Sequence, residues 1–411
     1  MRVMVLVIDS FGIGAMKDVP KVRPADIGAN TALHVLERMA PGGLPNLERL
    51  GLANAAFDSA DPAAGSLGAL RPAPGAVYGS SELAHFWADT YWGHQEILGT
   101  KPKRPEPAPF STSIDRVEAA LKRSGRRVER REREGLQFLL VDGSATVADN
   151  IEADPGCAYN VTASLDALPF AEVVKIGKTV RSAVKVDRVI AFGGEGVGIE
   201  RILGAAEIKE GRFLGINAPG SGVYDKGYLV THLGYGVDPS VQAPAHLARV
   251  GVPTVLVGKV ADICDAGELG EKVFGVESEG LIDATVERLA RFERGFLCLN
   301  IQETDLAGHR EDPVWYADRL GAVDRGLSRI LPLMRGDDLL IVTADHGNDP
   351  TIGHPRHTRE RVPLMVYGRG LSSFTIGKRK TLSDIGATVC DLFGAPRPEA
   401  GTSFAGLLMK R

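Results

Sequence analysis

Three short stretches hold most of the residues that could do chemistry. The densest is Thr343-Ala344-Asp345-His346-Gly347-Asn348-Asp349-Pro350, with His357, Thr358, Arg359 and Glu360 shortly after it. Neighbouring Asp and His side chains can share one divalent cation if the chain turns there, whereas an isolated Asp-His pair is more often a surface turn. A second stretch, Asp305-Leu306-Ala307-Gly308-His309, spaces its two candidate ligands i and i+4, on one face if the turn is helical. A helix N-cap at Thr304 or Asp305 is the plainer alternative there. The third is Asp9, followed by Ser10-Phe11-Gly12-Ile13-Gly14, which alone reads as an ordinary strand-to-helix turn. Taken together, Asp9, Asp305, Asp345, His309, His346 and His357 form a ligand set that divides naturally into two metal sites of three residues. A mixed nitrogen and oxygen set excludes none of zinc, manganese and iron. Paired ions ~3.5–4 Å apart serve phosphoryl and related transfers, one activating the attacking oxygen and the other stabilising the leaving one. Such a transfer can run through a hydroxyl nucleophile. Ser10 is one candidate; the other is Thr90, within Ala88-Asp89-Thr90-Tyr91-Trp92-Gly93-His94-Gln95-Glu96. Spacing does not choose between them.

The elements that must position these residues alternate between strand and helix. Apolar runs at residues 3–8, 295–301 and 338–343 read as strands, and each ends just before one of the candidate carboxylates. Helices are expected over residues 44–52, 313–334 and 382–393, and a further strand over 362–367. This rhythm predicts an α/β fold with a mostly parallel sheet, whose ligands gather at the C-terminal edge of the strands. The rhythm breaks at residues 101–109, where Pro102, Pro105, Pro107 and Pro109 suit a stiff connector, and again over the Gly- and Pro-rich residues 217–244. Between the breaks, strands at 137–141 and 188–192 indicate a separate folding unit. The expected organisation is a discontinuous core of residues 1–102 and 239–411 with an inserted domain at 103–238.

The chain has 411 residues, and 48 Lys and Arg against 52 Asp and Glu give a net charge of −4, so no global positive field draws nucleic acid. Arg126, Arg127, Arg130, Arg131 and Arg133 alternate with Glu129, Glu132 and Glu134, which reads as a solvated helix face. Cys157, Cys264, Cys298 and Cys390 form no CxxC pair, excluding zinc-knuckle and thioredoxin chemistry and fitting a reducing, cytoplasmic setting. No apolar run approaches the ~20 residues of a membrane span, and residues 3–8 are too short for a signal-peptide core. A small-molecule substrate is the expected partner, with neither nucleic acid nor membrane; oligomeric state is left open.

The motifs resemble those of the phosphopentomutases, in the alkaline phosphatase superfamily. The resemblance rests on residues 8–14, Asn30-Thr31, residues 45–51, Asp89-Thr90 with Gly93-His94 and Glu96, Gly258-Lys259, Asp262-Ile263, Gly308-His309-Arg310, Asp312-Pro313, residues 344–350 and His357-Thr358-Arg359-Glu360, all in family order. It implies an alkaline-phosphatase-like core, helices on both faces of the sheet, and an inserted α+β cap that closes over substrate. By the same resemblance Asp9, Asp345 and His346 hold one divalent ion and Asp305, His309 and His357 the other, usually Mn²⁺ with Zn²⁺ as the alternative. Thr90 is implied as the carrier of the phosphoryl group, Ser144 and Lys259 as substrate contacts, and a sugar bisphosphate as activator. The implied enzyme is an isomerase, an intramolecular phosphotransferase that interconverts ribose or deoxyribose 1-phosphate and 5-phosphate. His94 and Glu96 are expected behind Thr90, orienting it.

Three departures from the family pattern bear on function. Asp305 and His309 stand one residue closer than in the family, as in cofactor-independent phosphoglycerate mutases. Tyr91-Trp92 follows Thr90 where the family has smaller residues. In the cap, Thr146-Val147 follows Ser144-Ala145 in place of Asp-Ser, and Phe192, before the glycine-rich residues 193–198, occupies the place of a phosphate-binding arginine. Arginine is favoured for bidentate phosphate recognition, so the sequence predicts intact transfer chemistry with an altered substrate preference. The rival readings are a phosphatase or phosphodiesterase on the same core, and a metal-dependent binding protein without catalysis.

Overall fold

The computed structural model describes residues 1–39, 43–59, 70–152, 155–371 and 373–409. The described residues form strands β1 Arg2–Ile8, β2 Val77–Ser81, β3 Val128–Arg133, β4 Leu136–Val141, β5 Ala145–Asp149, β6 Ala158–Ser164, β7 Arg188–Gly194, β8 Ala206–Lys209, β9 Phe213–Ile216, β10 Leu229–Gly234, β11 Thr254–Val257, β12 Gly270–Val273, β13 Gly295–Ile301, β14 Leu339–Thr343, β15 Val362–Gly368 and β16 Phe374–Arg379. The chain divides into two compact units, one of residues 1–102 and 238–411, the other of residues 103–237.

In the first unit an eight-stranded sheet runs β12-β11-β13-β1-β14-β15-β2-β16, with helices on both faces. It is parallel except for β15, which opposes both β14 and β2. The central strands β1, β13 and β14 are buried along their whole length, as apolar, β-branched runs covered on both faces must be. Their register aligns Ile8 with Ile301 and Val7 with Thr343, so Asp9, Asp305 and Asp345 leave the sheet at one edge. Because β15 runs the other way, with Leu364 opposite Thr343, the residues entering it return to that edge. The opposite edge is closed by Arg2, whose Nε donates to Asp338 Oδ2 at 2.8 Å with both side chains buried.

The second unit is built on a mostly antiparallel sheet, β10-β7-β6-β5-β4-β3, extended by β8 and β9. Its core joins β4–β7 to the helices Ile114–Arg123 and Phe170–Ala183.

The structure corrects several local expectations. The arginine-rich run is an exposed edge strand, β3, not a helix face. Glu134 and Gly135, with φ of 51° and 81°, turn the chain straight into apolar β4, and this tight hairpin overrides helical periodicity. The helix expected over residues 44–52 is two, Pro45–Leu50 and Leu52–Ser59, parted by Gly51 in the left-handed region at φ 101°. The helix expected to reach residue 334 ends at Ile330, and Pro332 lies in the 3₁₀ turn that follows. The Gly- and Pro-rich stretch 217–244 contains an edge strand, β10. Residues 101–109 carry neither helix nor strand. No helix among the described residues is long and apolar enough to cross a membrane.

Candidate active site

At the C-terminal edge of the core sheet, each segment brings its polar residue by a different local device. Asp9 follows β1, and the next residue, Ser10, adopts φ 66°, a left-handed conformation unusual for a residue with a side chain. That turn aims the Ser10 amide at Asp345 Oδ1, 3.0 Å away, tying the first carboxylate segment to the third. Asp305 and His309 lie on the helix Glu303–His309, directly after β13. Thr90 is the first residue of the helix Thr90–Ile97, capped by Asp89, whose Oδ1 accepts from the Trp92 amide at 3.2 Å. His357 precedes β15, and Thr358 bridges back to Gly347 through paired backbone hydrogen bonds.

The six expected ligands converge. His346 Nε2 is 3.6 Å from Asp9 Oδ1 and 3.4 Å from Asp345 Oδ2. His309 Nε2 is 3.2 Å from Asp305 Oδ2, and His357 Nε2 is 3.3 Å from Asp305 Oδ1 and 3.0 Å from His309 Nε2. Ligands bound ~2.0–2.2 Å from one ion in a tetrahedron stand roughly 3.3–3.6 Å apart, so these separations suit shared cations. Two clusters with the right donors are Asp9, Asp345 and His346, and Asp305, His346 and His357, so His346 stands between the two carboxylate groups.

The histidine tautomers fit a metal as well. The Nδ1 atoms of His309, His346 and His357 lie 2.6, 2.9 and 3.1 Å from the carbonyls of Pro355, Gly347 and Ala88. A carbonyl only accepts, so each Nδ1 carries the hydrogen and each Nε2 is turned inward as a lone-pair donor. Two neutral Nε2 atoms 3.0 Å apart oppose lone pair to lone pair unless a positive charge lies with them. Electrostatics makes the same demand. Burial, with Asp345 and Asp305 nearby, raises the Asp9 carboxyl well above its ordinary value. Burial would also raise Asp345, but His346 and His94 outweigh it and hold it at about 2. Burial depresses His346 to about 4. Burial alone would lower His357, but the Asp305 carboxylate outweighs it and lifts the imidazole to about 9, so positive charge at this Nε2, a proton or a metal ion, is favoured. A divalent cation supplies both what the buried carboxylates lack and what the Nε2 lone pairs require.

Of the two candidate nucleophiles, Thr90 Oγ1 is 2.8 Å from His346 Nε2 and 3.4 Å from Asp9 Oδ1. Ser10 Oγ is instead engaged with the buried phenol of Tyr316 at 3.0 Å. His94, one helical turn beyond Thr90, directs Nδ1 at the Thr90 carbonyl at 2.8 Å and at Asp345 Oδ2 at 3.2 Å. Glu96, six residues from Thr90, faces elsewhere. It accepts from Ala84, His85, Thr381 and Leu382 and touches neither Thr90 nor a ligand, so its geometry is that of a clasp for two loops rather than of a residue orienting Thr90. Lys259 opens the helix Lys259–Ile263 in the first unit, with Nζ 3.8 Å from Asp262. Ser144 lies in the β4–β5 turn of the second unit, its Oγ 3.4 Å from the Asp142 carbonyl. Phe192 is buried against Tyr224 and Tyr228, each ring centroid 6.0 Å from its own.

Sequence reasoning did not single out Asn300, whose Nδ2 donates to Asp9 Oδ2 at 2.9 Å, or Asn348, whose Nδ2 donates to Asp305 Oδ1 at 3.0 Å. Asn348 sits inside the quoted motif, where its polarity was the available signal; Asn300 lies within an apolar strand and offered none. Two glycines of the motifs have a steric reason. A Cβ at Gly93 would stand 2.6 Å from Asp345, and one at Gly308 would stand 2.5 Å from the Asn348 side chain.

Comparison with known proteins agrees with this chemistry. Residues 1–397 match the family described as the Metalloenzyme superfamily. The chain is 32% identical to a phosphopentomutase of Kosmotoga olearia, over 98% of each protein. It is 30% identical to that of Alkaliphilus oremlandii, over 100% of this chain and 99% of the relative. With that of Thermotoga maritima it shares 31%, over 99% of this chain and 100% of the relative. Likeness of this order, sustained from end to end, makes the chain a divergent member of the phosphopentomutase family within the metalloenzyme superfamily, and so a divalent-metal-dependent phosphomutase.

Proposed function

We propose that this enzyme moves a phosphoryl group within a small phosphorylated sugar, with ribose or deoxyribose 1-phosphate and 5-phosphate as the default pair, through a phosphorylated Thr90. Asp9, Asp345 and His346 would hold one Mn²⁺, and Asp305, His309 and His357 the other. The observation that carries this reading is the position of Thr90 Oγ1, 2.8 Å from His346 Nε2 at the point where both ligand groups meet. The ions would supply Lewis-acid charge to the phosphoryl oxygens.

The chain's own residues do the rest. As first residue of its helix, Thr90 presents its hydroxyl at a helix N-terminus, whose dipole favours a phosphate dianion. His94 fixes this first turn through the Thr90 carbonyl. In the forward half-reaction the bond between phosphorus and Thr90 Oγ breaks and a bond to a free sugar hydroxyl forms. The proton of that hydroxyl ends on Thr90 Oγ1, and the sugar becomes a bisphosphate. In the second half-reaction the other phosphoryl group passes to Thr90 and the proton returns to the sugar oxygen. No water is consumed, and a sugar bisphosphate serves as activator by charging Thr90. Residues 103–237 would act as the cap, with Ser144 there and Lys259 in the core contacting substrate.

The test is to incubate the Mn²⁺-loaded protein with ribose 1,5-bisphosphate and map the added phosphate by peptide mass spectrometry. Label on Thr90, discharged by ribose 5-phosphate to regenerate bisphosphate, is the expected result. Label on Ser10, label persisting in Thr90→Ala, or discharge as inorganic phosphate would overturn the mutase reading.

A further inference from the structure

Glu360 belongs to none of the metal-ligand positions, yet all the segments that carry Asp9, the Asp345-His346 pair and His357 meet on its side chain. It is fully buried. Its Oε2 accepts from the amides of Gly14 and Thr31, both at 3.0 Å. Its Oε1 accepts from the hydroxyls of Thr31 and Thr358, both at 2.6 Å. Those hydroxyls in turn accept from the amides of Asn348 and Asp349, each at 3.2 Å. One carboxylate thus gathers the loop after β1, the helix Thr31–Leu36, the loop after β14, and the segment entering β15.

The surrounding backbone is shaped to admit it. A Cβ on Gly12 would stand 2.3 Å from Glu360 Oε2, and a Cβ on Gly347 would stand 2.3 Å from Oε1. Gly12 lies three residues beyond Asp9 and Gly347 directly after His346, so both loops approach this carboxylate more closely than any residue with a side chain could. The acceptor pattern matters as well as the shape: burial and nearby Asp349 raise this carboxyl to about 7, and the hydrogen bonds from Thr31 and Thr358 oppose that rise. Four donors match the acceptor capacity of a carboxylate. An amide could keep Oε2's two partners but would turn an NH₂ group toward two hydroxyls. Each hydroxyl already accepts from a backbone amide and needs somewhere to send its own hydrogen, so a buried donor would be left unpaired.

We propose that Glu360 is a positioning residue that sets the mutual register of the ligand-bearing segments and thereby the affinity for Mn²⁺, an inference that rests on the two-ion reading above. It acts through Thr31 and Thr358 and touches no reacting atom.

The experiment is a calorimetric Mn²⁺ titration of the full chain, paired with thermal melts, on wild type, Glu360→Gln, Thr358→Val, the double variant and Asp338→Asn. Outer partners of metal ligands typically contribute about 10- to 100-fold in affinity, so Glu360→Gln should weaken Mn²⁺ binding by about that factor. Thr358→Val should weaken it less, and should add little on top of Glu360→Gln because both break one relay. Asp338→Asn cuts a buried pair at the opposite edge of β1 and β14; it should lower the melting temperature and leave Mn²⁺ affinity alone. Wild type binding two ions while Glu360→Gln binds them within twofold as tightly overturns the Glu360 inference only, whatever its melting temperature. Wild type binding no Mn²⁺ overturns the two-ion reading and this inference with it. Should Glu360→Gln fail to fold, Thr358→Val decides: weakened binding supports the relay and unchanged binding refutes it.

Discussion

Gly93→Ala isolates the packing of the nucleophile helix against the metal edge. Gly93 lies in the first turn of Thr90–Ile97 with no left-handed strain, so the substitution tests space against helix propensity, free of backbone strain. The new Cβ would stand 2.6 Å from both the Cβ and the carbonyl oxygen of Asp345. Carbon atoms rest at roughly 3.5–4.0 Å, so helix and loop must part by about 1 Å. Overpacking of this kind costs about 1–3 kcal/mol, and the better helix propensity of alanine returns about 1 kcal/mol, for a net loss of roughly 0–2 kcal/mol in stability. Catalysis should suffer more, because Thr90 and Asp345 move apart directly, and a displacement near 1 Å can cost ~100-fold. The assay compares kcat/KM for pentose 1-phosphate isomerisation with the melting temperature of the same preparation. A fall of about two orders of magnitude in rate with a melting shift of a few degrees is the expected pattern. Wild-type rate in a folded Gly93→Ala protein would show that the helix slides without consequence and would refute the argument.

Metal analysis of Asp345→Ala and His357→Ala should show lost metal and lost turnover in each; full occupancy in both would sink the ligand assignment. Ser10→Ala should still become phosphorylated on Thr90 and should lose only about 1 kcal/mol, the usual worth of a hydrogen bond such as that to Tyr316; an unlabelled but folded variant would contradict this. Arg2 outweighs burial and depresses the Asp338 carboxyl, so the pair's stabilisation is full above the ordinary Asp value of about 4 and is lost as pH falls through the depressed one. The stability gap between wild type and Asp338→Asn should therefore close in strong acid, and a gap independent of pH would contradict the linkage. Ribose 1-phosphate should be outrun by another member of a sugar and polyol phosphate panel, because Phe192 packs with tyrosines where the family pattern has a charge; ribose 1-phosphate exceeding the whole panel at kcat/KM above ~10⁴ M⁻¹s⁻¹ would show that the substitution is compensated.

The legible part of the site was the part written in residue type and strand ends. Asp9, Asp305 and Asp345 each follow an apolar run, and a parallel sheet has only one edge to which such runs can deliver them. His357 was legible as a motif but not as geometry, because its return depends on β15 running antiparallel. Glu96 shows the converse: proximity in sequence suggested service to Thr90, whereas a spacing of six on a helix turns the side chain away. The arginine-rich strand was misread because alternating charge fits an exposed strand as well as a helix face, and only the Glu134-Gly135 turn settles which. Asn300 was invisible, since a single polar residue inside a buried strand has no pattern to betray it.

The division of the chain into two units sets the ligand segments apart from the departures at Thr146, Val147 and Phe192. The ligand segments, Thr90 and Glu360 all lie in residues 1–102 and 238–411. Their geometry is over-determined: Gly12, Gly93, Gly308 and Gly347 each sit where a Cβ would collide with a polar group of the cluster or with its support. Drift at these positions is costly, because a shift in one loop is transmitted to ligands on the others. Residues 103–237 carry no such constraint toward metal chemistry, and it is there that Phe192, Thr146 and Val147 depart from the family pattern. Specificity is a difference in how the non-reacting end of a substrate is held, so the changes within this unit can retune substrate choice without altering the ligand segments. A chimera carrying residues 103–237 of the Kosmotoga olearia relative on this core should therefore transfer substrate preference and leave Mn²⁺ affinity within a few-fold of the parent. A chimera that keeps the parent's preference would assign specificity to the core, to Tyr91 and Trp92 beside Thr90.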